Sequence, residues 1–217
     1  MRGLLIGLLV LAGASIPSVA RAQATIAENI NRYHPGCHAR ADMRGGDCVA
    51  AAHRYCEANH SRNSFGFPIR RDVENIHIAC AFRAWYGEVA YGRLQELHPE
   101  CGGPADAQTP ACVAAVRRYC ANERSLSGGL IQEVGPGSAA VACFRATRQR
   151  DVEYRRLLAI SAACNGPGAA GSLSCVTASA EWCRLGNRSE LGLPQEVGRD
   201  SLAVSCFPAR VQVMRVL

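Results

Sequence analysis

The spacing of the cysteines recurs three times along this chain of 217 residues. Within a set of four cysteines the gaps are 10, 7 and 23 residues in the first set, and 10, 7 and 22 in the other two. The sets are Cys37, Cys48, Cys56 and Cys80; Cys101, Cys112, Cys120 and Cys143; and Cys164, Cys175, Cys183 and Cys206. Agreement over twelve positions predicts one architecture used three times.

The residues between the cysteines indicate mixed secondary structure. The stretches CVAAAHRYC, CVAAVRRYC and CVTASAEWC consist of good helix formers without Gly or Pro. The stretches GLIQEVGPGSAAVACF and GLPQEVGRDSLAVSCF each place a turn between two short apolar runs, which is typical of a hairpin. We therefore predict an α+β fold of three tandem disulfide-stabilised repeats of about 63 residues. Each repeat comprises a helix, a loop, a second helix and a β-hairpin.

The predicted helix restricts how the cysteines pair. Two cysteines eight positions apart on a helix are separated by about 12 Å, which is beyond the reach of a disulfide. In the hairpin, Val141 and Cys143 share a parity and should face the core, so the fourth cysteine of each set points at the helix. We predict disulfides from Cys37 to Cys48 and from Cys56 to Cys80, with the equivalent pairs in the other repeats.

The N-terminus has the pattern of a secretory signal peptide. A short basic start precedes an apolar stretch over residues 3–17, and Ala20 and Ala22 form a small-residue cleavage site. We predict a signal peptide over residues 1–22, then repeats over residues 23–86, 87–149 and 150–217. No later segment is apolar enough to span a bilayer. Export to the periplasm or the cell exterior suits a chain with an even number of cysteines.

Composition and motifs argue against several classes of function. All 24 basic residues are arginine, which excludes lysine chemistry, and they form no dense basic run that would bind nucleic acid. The usual metalloprotease, hydrolase, nucleotide-binding and calcium-binding motifs are absent from the sequence. We therefore predict no cofactor and no enzymatic activity.

A repeated Gln-Glu pair is the first candidate for a binding feature. Gln132 and Glu133 recur as Gln195 and Glu196 at the same place in the next repeat, whereas the first repeat has an isoleucine followed by Arg70. Folding therefore does not require the pair in every repeat. It is either a tolerated detail of a hairpin or a binding feature of the second and third repeats.

Aromatic and basic residues of the first repeat form the second candidate. Trp85 and Tyr86 lie in the predicted linker after the first hairpin and have no aromatic counterpart in the other repeats. If exposed beside Arg70, Arg71 and His77, they would suit a sugar ring, a peptide or a partner protein. The alternative is that Trp85 packs between repeats.

Histidines are concentrated in the first repeat. Those without a histidine counterpart in the other repeats are His38, His53, His60 and His77. They could gather a metal in the first repeat, although their spacing does not demand the convergence that zinc needs. Scattered surface histidines are the alternative.

These features lead to three functional hypotheses. The first is a non-enzymatic binding module for a glycan or a cell-envelope component, because repeated surfaces favour multivalent contact. The second is an inhibitor or partner-binding protein directed at a secreted enzyme, which presents the segment EANHSRNSF over residues 57–65. The third is a metal-dependent site in the first repeat. The oligomeric state is not predicted.

Overall fold

The computed structural model describes residues 28–38, 41–82, 84–188 and 190–216. The predicted signal peptide, residues 1–22, lies outside the described residues. In the part of the chain that is described, no helix is both long enough and apolar enough to cross a membrane.

The described chain combines helices and strands, with six disulfides, so the fold is α+β and disulfide-rich. The helices are α1 (Gly46–Asn59), α2 (Tyr91–Leu97), α3 (Pro110–Arg124), α4 (Tyr154–Leu158) and α5 (Leu173–Gly186). The strands are β1 (Phe65–Arg71), β2 (Asn75–Ala81), β3 (Trp85–Ala90), β4 (Gly128–Val134), β5 (Ser138–Phe144), β6 (Arg148–Glu153), β7 (Glu190–Val197) and β8 (Ser201–Arg215). Short 3-10 turns cover Ile30–Arg32, Pro104–Asp106 and Pro167–Ala169.

The long helices begin where the sequence supplies caps. The Thr109 side chain accepts a hydrogen bond from the Cys112 amide at 3.4 Å, and proline occupies the first position of α3. The Ser172 hydroxyl caps α5 in the same way, at 3.3 Å from the Cys175 amide. These caps satisfy backbone N–H groups that a helix start leaves without a partner.

Two kinds of disulfide hold each long helix, and the predicted pairing is confirmed. One kind ties the preceding loop to the start of the helix: Cys37–Cys48, Cys101–Cys112 and Cys164–Cys175. The other ties the end of the helix to a strand of the following hairpin: Cys56–Cys80, Cys120–Cys143 and Cys183–Cys206. Both ends of each helix are therefore fixed covalently.

An antiparallel hairpin follows each long helix. Hairpin 1 is formed by β1 and β2, hairpin 2 by β4 and β5, and hairpin 3 by β7 and the first half of β8. The predicted hairpins are thus present, and in each of them the first strand carries a bulge just before the turn.

The segments predicted to be linkers are strands, which corrects the sequence analysis. β3 pairs with β5 of hairpin 2, and β6 pairs with β8 of hairpin 3. The second half of β8, residues 209–215, pairs with β2 of hairpin 1. Each hairpin thereby gains a third strand from the segment that follows a different hairpin. β3 also crosses the predicted boundary between residues 86 and 87.

Each long helix also packs against a hairpin other than the one that directly follows it. The first two helices pack on the next hairpin along the chain, and the last packs on hairpin 1. α1 packs on β4, α3 on β7, and α5 on β1. The Arg215 amide donates to the Glu28 carbonyl at 3.0 Å, so the last strand ends beside the first described residues. The described chain is therefore closed on itself.

The hairpins are buried on both faces. In β5, Val141 and Cys143 pack in a cluster with α3, as their parity predicts. The opposite face carries Ala142 and Phe144, and these join a second cluster shared by all three hairpins. Strands covered on both sides lose the alternation of apolar and polar residues. A central core between the hairpins is the result.

Close approach of each hairpin to its helix makes one glycine essential. A Cβ placed on Gly129 would lie 2.6 Å from the Cys120 sulfur and 2.8 Å from the Val116 side chain. We expect Gly129→Ala to lower the free energy of unfolding by about 1–3 kcal/mol through overpacking, measured by urea denaturation. Gly137→Ala is the control, because a Cβ there meets nothing within 4 Å. Equal stability of the two variants would contradict this explanation.

Candidate functional site

The two glutamines of the repeated Gln-Glu pair lie inside the protein. Gln132 is completely buried, and its Oε1 accepts a hydrogen bond from the Gly66 amide at 3.1 Å. Gln195 is 2% exposed and accepts from the Gly129 amide at 2.9 Å. Each amide side chain therefore joins one hairpin to the hairpin before it. Closed to solvent, neither is available to a ligand at the surface.

The two glutamates of the pair accept from arginines of a long helix earlier in the chain, α1 for Glu133 and α3 for Glu196. Arg54 Nε donates to Glu133 Oε1 at 2.8 Å, and Arg118 Nη2 donates to Glu196 Oε1 at 2.6 Å. Arg117 also pairs with Glu196. The hydrogen bond from Arg118 lowers the pKa of Glu196 below its ordinary value. These carboxylates are thus engaged in contacts between neighbouring elements.

Arg70 and His77 meet at the tip of hairpin 1. Both contact Asp72, with His77 Nε2 at 2.8 Å from Oδ2 and Arg70 Nη2 at 2.9 Å from Oδ1. The hydrogen bonds from His77 and then Arg70 lower the pKa of Asp72. Arg71, half-buried, ends β1 beside them. The tip is a surface cluster of paired charges.

Trp85 and Tyr86 lie at the start of β3, away from this tip, and contact other elements. The guanidinium of Arg124 lies 3.9 Å from the centre of the Trp85 ring, and the Tyr86 ring stacks on His53 at 4.7 Å between centroids. Burial raises the pKa of Tyr86 to about 12. One face of each ring is therefore covered by another side chain, while Tyr86 remains 40% exposed. The contacts favour the alternative in which Trp85 packs between parts of the chain.

The histidines of the first repeat do not converge. His53 is buried on α1, His60 follows that helix against Phe82, and His77 binds Asp72 on hairpin 1. Within the described ranges, which include His38, no group of three or more His, Cys, Asp or Glu side chains could hold a metal ion. The described residues therefore give no support to the alternative of a metal site in this part of the chain.

An apolar cavity opens at the end of the hairpins opposite their turns. It has a volume of about 400 Å³. We call it the phenylalanine cavity, and it is lined by Phe65, Ala81, Phe82, Phe144, Arg145, Ala146, Thr147, Phe207 and Pro208. Its volume falls within the range of small-molecule sites.

Three phenylalanines, one from each hairpin, form the base of the phenylalanine cavity. Phe65, Phe144 and Phe207 are each at most 2% exposed. Their ring centroids are separated by 5.1 Å, 5.7 Å and 4.5 Å, which are the spacings of directly packed aromatic rings. The base of the cavity is thus a rigid apolar surface continuous with the central core.

The mouth of the phenylalanine cavity is basic. Arg145 and Thr147 line it and are exposed, and the exposed Arg210 lies with its guanidinium 5.7 Å from the centre of the Phe82 ring. The polar side chains that line the cavity are thus one guanidinium and one hydroxyl. The described residues that line the cavity are mainly apolar, an arrangement that can bind an apolar ligand.

Sequence patterns alone do not reveal this cavity. The sequence does contain a signal for it: in two of the three sets, a phenylalanine directly follows the fourth cysteine. These residues, Phe144 and Phe207, point to the opposite side of the strand from the cysteine. In a strand with one buried face, residues of that parity would be exposed to solvent. Here both faces of the strand are buried, so these phenylalanines pack in the core.

Comparisons with protein families, curated proteins and solved structures found no match for this chain.

Replacing one glutamine of the Gln-Glu pair tests its buried role. We expect Gln195→Leu to lower the free energy of unfolding by about 1–3 kcal/mol, because the buried Gly129 amide loses its acceptor. Glu196→Gln is the matched control, and we expect a change within about 1 kcal/mol for a partly exposed ion pair. Urea denaturation of both variants measures the difference. A smaller effect for Gln195→Leu than for Glu196→Gln would refute the assignment.

His53 predicts a dependence of stability on pH. Burial lowers the pKa of this imidazole, whereas the nearby Glu57 and Glu133 raise it less. Its contribution to stability is complete above the ordinary histidine pKa and is lost as the pH falls below that value, because the unfolded chain binds the proton more readily. When the pH is lowered from about 7.5 to about 5, the free energy of unfolding of His53→Phe should fall less than that of the original protein, as measured by urea denaturation. An equal fall in the free energy of unfolding for both proteins would contradict this.

Proposed function

We propose that the chain consists of three repeats of about 63 residues that close into a ring. In support, each long helix is held by two disulfides and followed by a hairpin. Further support comes from the third strand of each hairpin, which is contributed by the segment after another hairpin. A repeat that completes its sheet with a neighbour's strand cannot bury its apolar surface alone.

We further propose that the protein is an exported, non-enzymatic binding module for a cell-envelope component, and that the phenylalanine cavity is its site. The observation that carries this proposal is an apolar cavity of about 400 Å³ with three packed phenylalanines at its base. A concave apolar surface with few polar groups is the usual form of a small-molecule site. An apolar part of the ligand would enter the cavity.

This placement changes the ligand class favoured within the envelope. A glycan needs several hydrogen-bonding groups and an accessible aromatic face, but Arg124 covers one face of Trp85 and His53 covers one face of Tyr86. The phenylalanine cavity offers the opposite chemistry, because its lining is mainly aromatic and aliphatic. A component with an apolar chain or ring therefore fits better than a sugar.

Location outside the cytoplasm is consistent with the six disulfides, which persist in oxidising compartments. The periplasm or the cell exterior, reached through the predicted signal peptide, is part of this proposal. Disulfides at both ends of every long helix would also hold the site rigid, which reduces the ordering cost of binding.

The hypothesis of an inhibitor gains no specific support. In the segment over residues 57–65, the first three residues continue α1, and Ser64 and Phe65 are buried. The Asn63 carbonyl accepts from the Ala84 amide at 3.2 Å. Residues 58, 59 and 61–63 are exposed, but none of their contacts points to an enzyme as the partner.

Binding of a neutral apolar dye tests the proposed site. We expect N-phenyl-1-naphthylamine to bind the oxidised protein with one saturable site, seen as a rise in dye fluorescence. Ala146→Trp should reduce the affinity at least tenfold, because Ala146 lines the cavity mouth and the indole would fill it.

Ala121→Trp is the control for this experiment, since Ala121 is exposed on α3 and does not line the cavity. It should bind the dye as the original protein does. Absence of saturable binding to the folded, oxidised protein, or equal binding by both tryptophan variants, would disprove the proposed site.

A further inference from the structure

The phenylalanine cavity combines an apolar base with an uncompensated basic mouth. From this juxtaposition we infer that its ligand is a single-chain anionic amphiphile, such as a fatty acid, with the chain among the phenylalanines and the carboxylate at Arg145 and Arg210. This inference rests on the proposed function and specifies the ligand of the same site.

The two arginines at the mouth differ from the arginines of the helices. Arg54 and Arg118 pair with glutamates of neighbouring hairpins. Neither Arg145 nor Arg210 forms an ion pair with any residue in the described ranges, although Arg210 contacts the Phe82 ring. Arg145 lines the cavity, and the Arg210 guanidinium lies 5.7 Å from the ring of Phe82, which also lines it. These two groups place a positive charge near the opening that a bound anion would neutralise.

Glu190, the first residue of β7, lies at this end of hairpin 3, but its carboxylate does not neutralise the two arginines. Glu190 is 4% exposed, and its carboxylate accepts from Thr147 Oγ1 at 2.6 Å and from Arg148 Nε at 3.1 Å. Arg148 neutralises Glu190, and the Thr147 hydroxyl already donates to it. The mouth therefore remains basic despite this carboxylate.

The chemistry and size of the cavity restrict the class of ligand. A guanidinium fork binds carboxylate and phosphate through paired, charge-assisted hydrogen bonds. About 400 Å³ lies near the lower end of the range for small-molecule sites, which suits one chain better than the paired chains of a membrane lipid. The shared chemistry is thus an anionic head on one apolar chain.

A series of amphiphiles with the same chain tests the inference. The probes are decanoate, decyl phosphate, decanol and decyltrimethylammonium, each used to displace the neutral dye at neutral pH and low salt. We expect decanoate to bind roughly three- to tenfold more tightly than decanol, because the two differ in charge at the head. The cationic probe should bind most weakly. Added salt should reduce the preference for the anion, since the arginines are exposed.

The decyl phosphate result distinguishes the two sources of an anionic head. Tighter binding of decanoate than of decyl phosphate supports a fatty acid. Tighter binding of decyl phosphate overturns the assignment to a fatty acid and indicates the phosphate head of a single-chain lipid.

Removing the charges tests the assignment to Arg145 and Arg210. We expect the double variant Arg145→Gln and Arg210→Gln to bind decanoate and decanol with affinities within roughly twofold of each other. Arg199→Gln is the control, because Arg199 lies in the turn of hairpin 3, at the opposite end. It should keep the preference for decanoate. Circular dichroism verifies that each variant is folded, and if the double variant is not, the probe series on the original protein decides alone.

Equal affinity of decanoate and decanol for the original protein would overturn this inference, although dye binding would still support the proposed function. An anion preference that survives in the double variant would equally remove the two arginines from the site. Failure of the dye to bind would instead disprove the proposed function.

Discussion

The disulfide between the end of each long helix and the following hairpin is the constraint on which the rest of the structure depends. Cys120–Cys143 holds β5 against α3, and the approach is so close that position 129 has no room for a Cβ. One face of the hairpin is thereby committed to its own helix. The opposite face must be covered by something else, and the other two hairpins cover it. The central core is thus a consequence of the covalent link.

Polar contacts then determine which helix meets which hairpin. Arg118 of α3 pairs with Glu196 of β7, and a buried glutamine joins the hairpins beneath each such pair. In the register of the cysteines, the helix arginine corresponds to Glu181 on α5, and the hairpin glutamate corresponds to Arg70 on β1. Both charges are reversed where α5 packs on β1, although there Glu181 pairs with Arg184 and Arg70 pairs with Asp72. Packing α5 on β4 instead would bring Glu181 towards Glu133, and such like charges discriminate against incorrect packing.

Sequence patterns predict helices and hairpins, which form between residues close in the sequence, but not strands that pair with residues far along the chain. The helix formers between the cysteines predicted the long helices, and the turn residues between apolar runs predicted the hairpins. Helix geometry and strand parity then limited which cysteines can meet. The strands β3 and β6 were missed because Trp85 and Arg148 occupy matching positions with unrelated side chains. The residues paired with these strands lie 48 to 58 positions further along the chain, so no local pattern reveals them. The phenylalanine cavity was missed because alternation assigns only one face of a hairpin to the core, whereas Phe144 and Phe207 line the second core.

The cavity and the disulfides are connected through stability. Ala81 occupies the position that Phe144 and Phe207 hold in the other hairpins, so a third aromatic ring is absent from that position. Leaving apolar surface unfilled forfeits packing energy that a small core can hardly spare. Six covalent links restrict the unfolded chain and offset such a loss. A framework held together by disulfides can therefore keep a cavity open at one end of its central core, where a protein of this size without them would depend more on complete packing of its apolar residues.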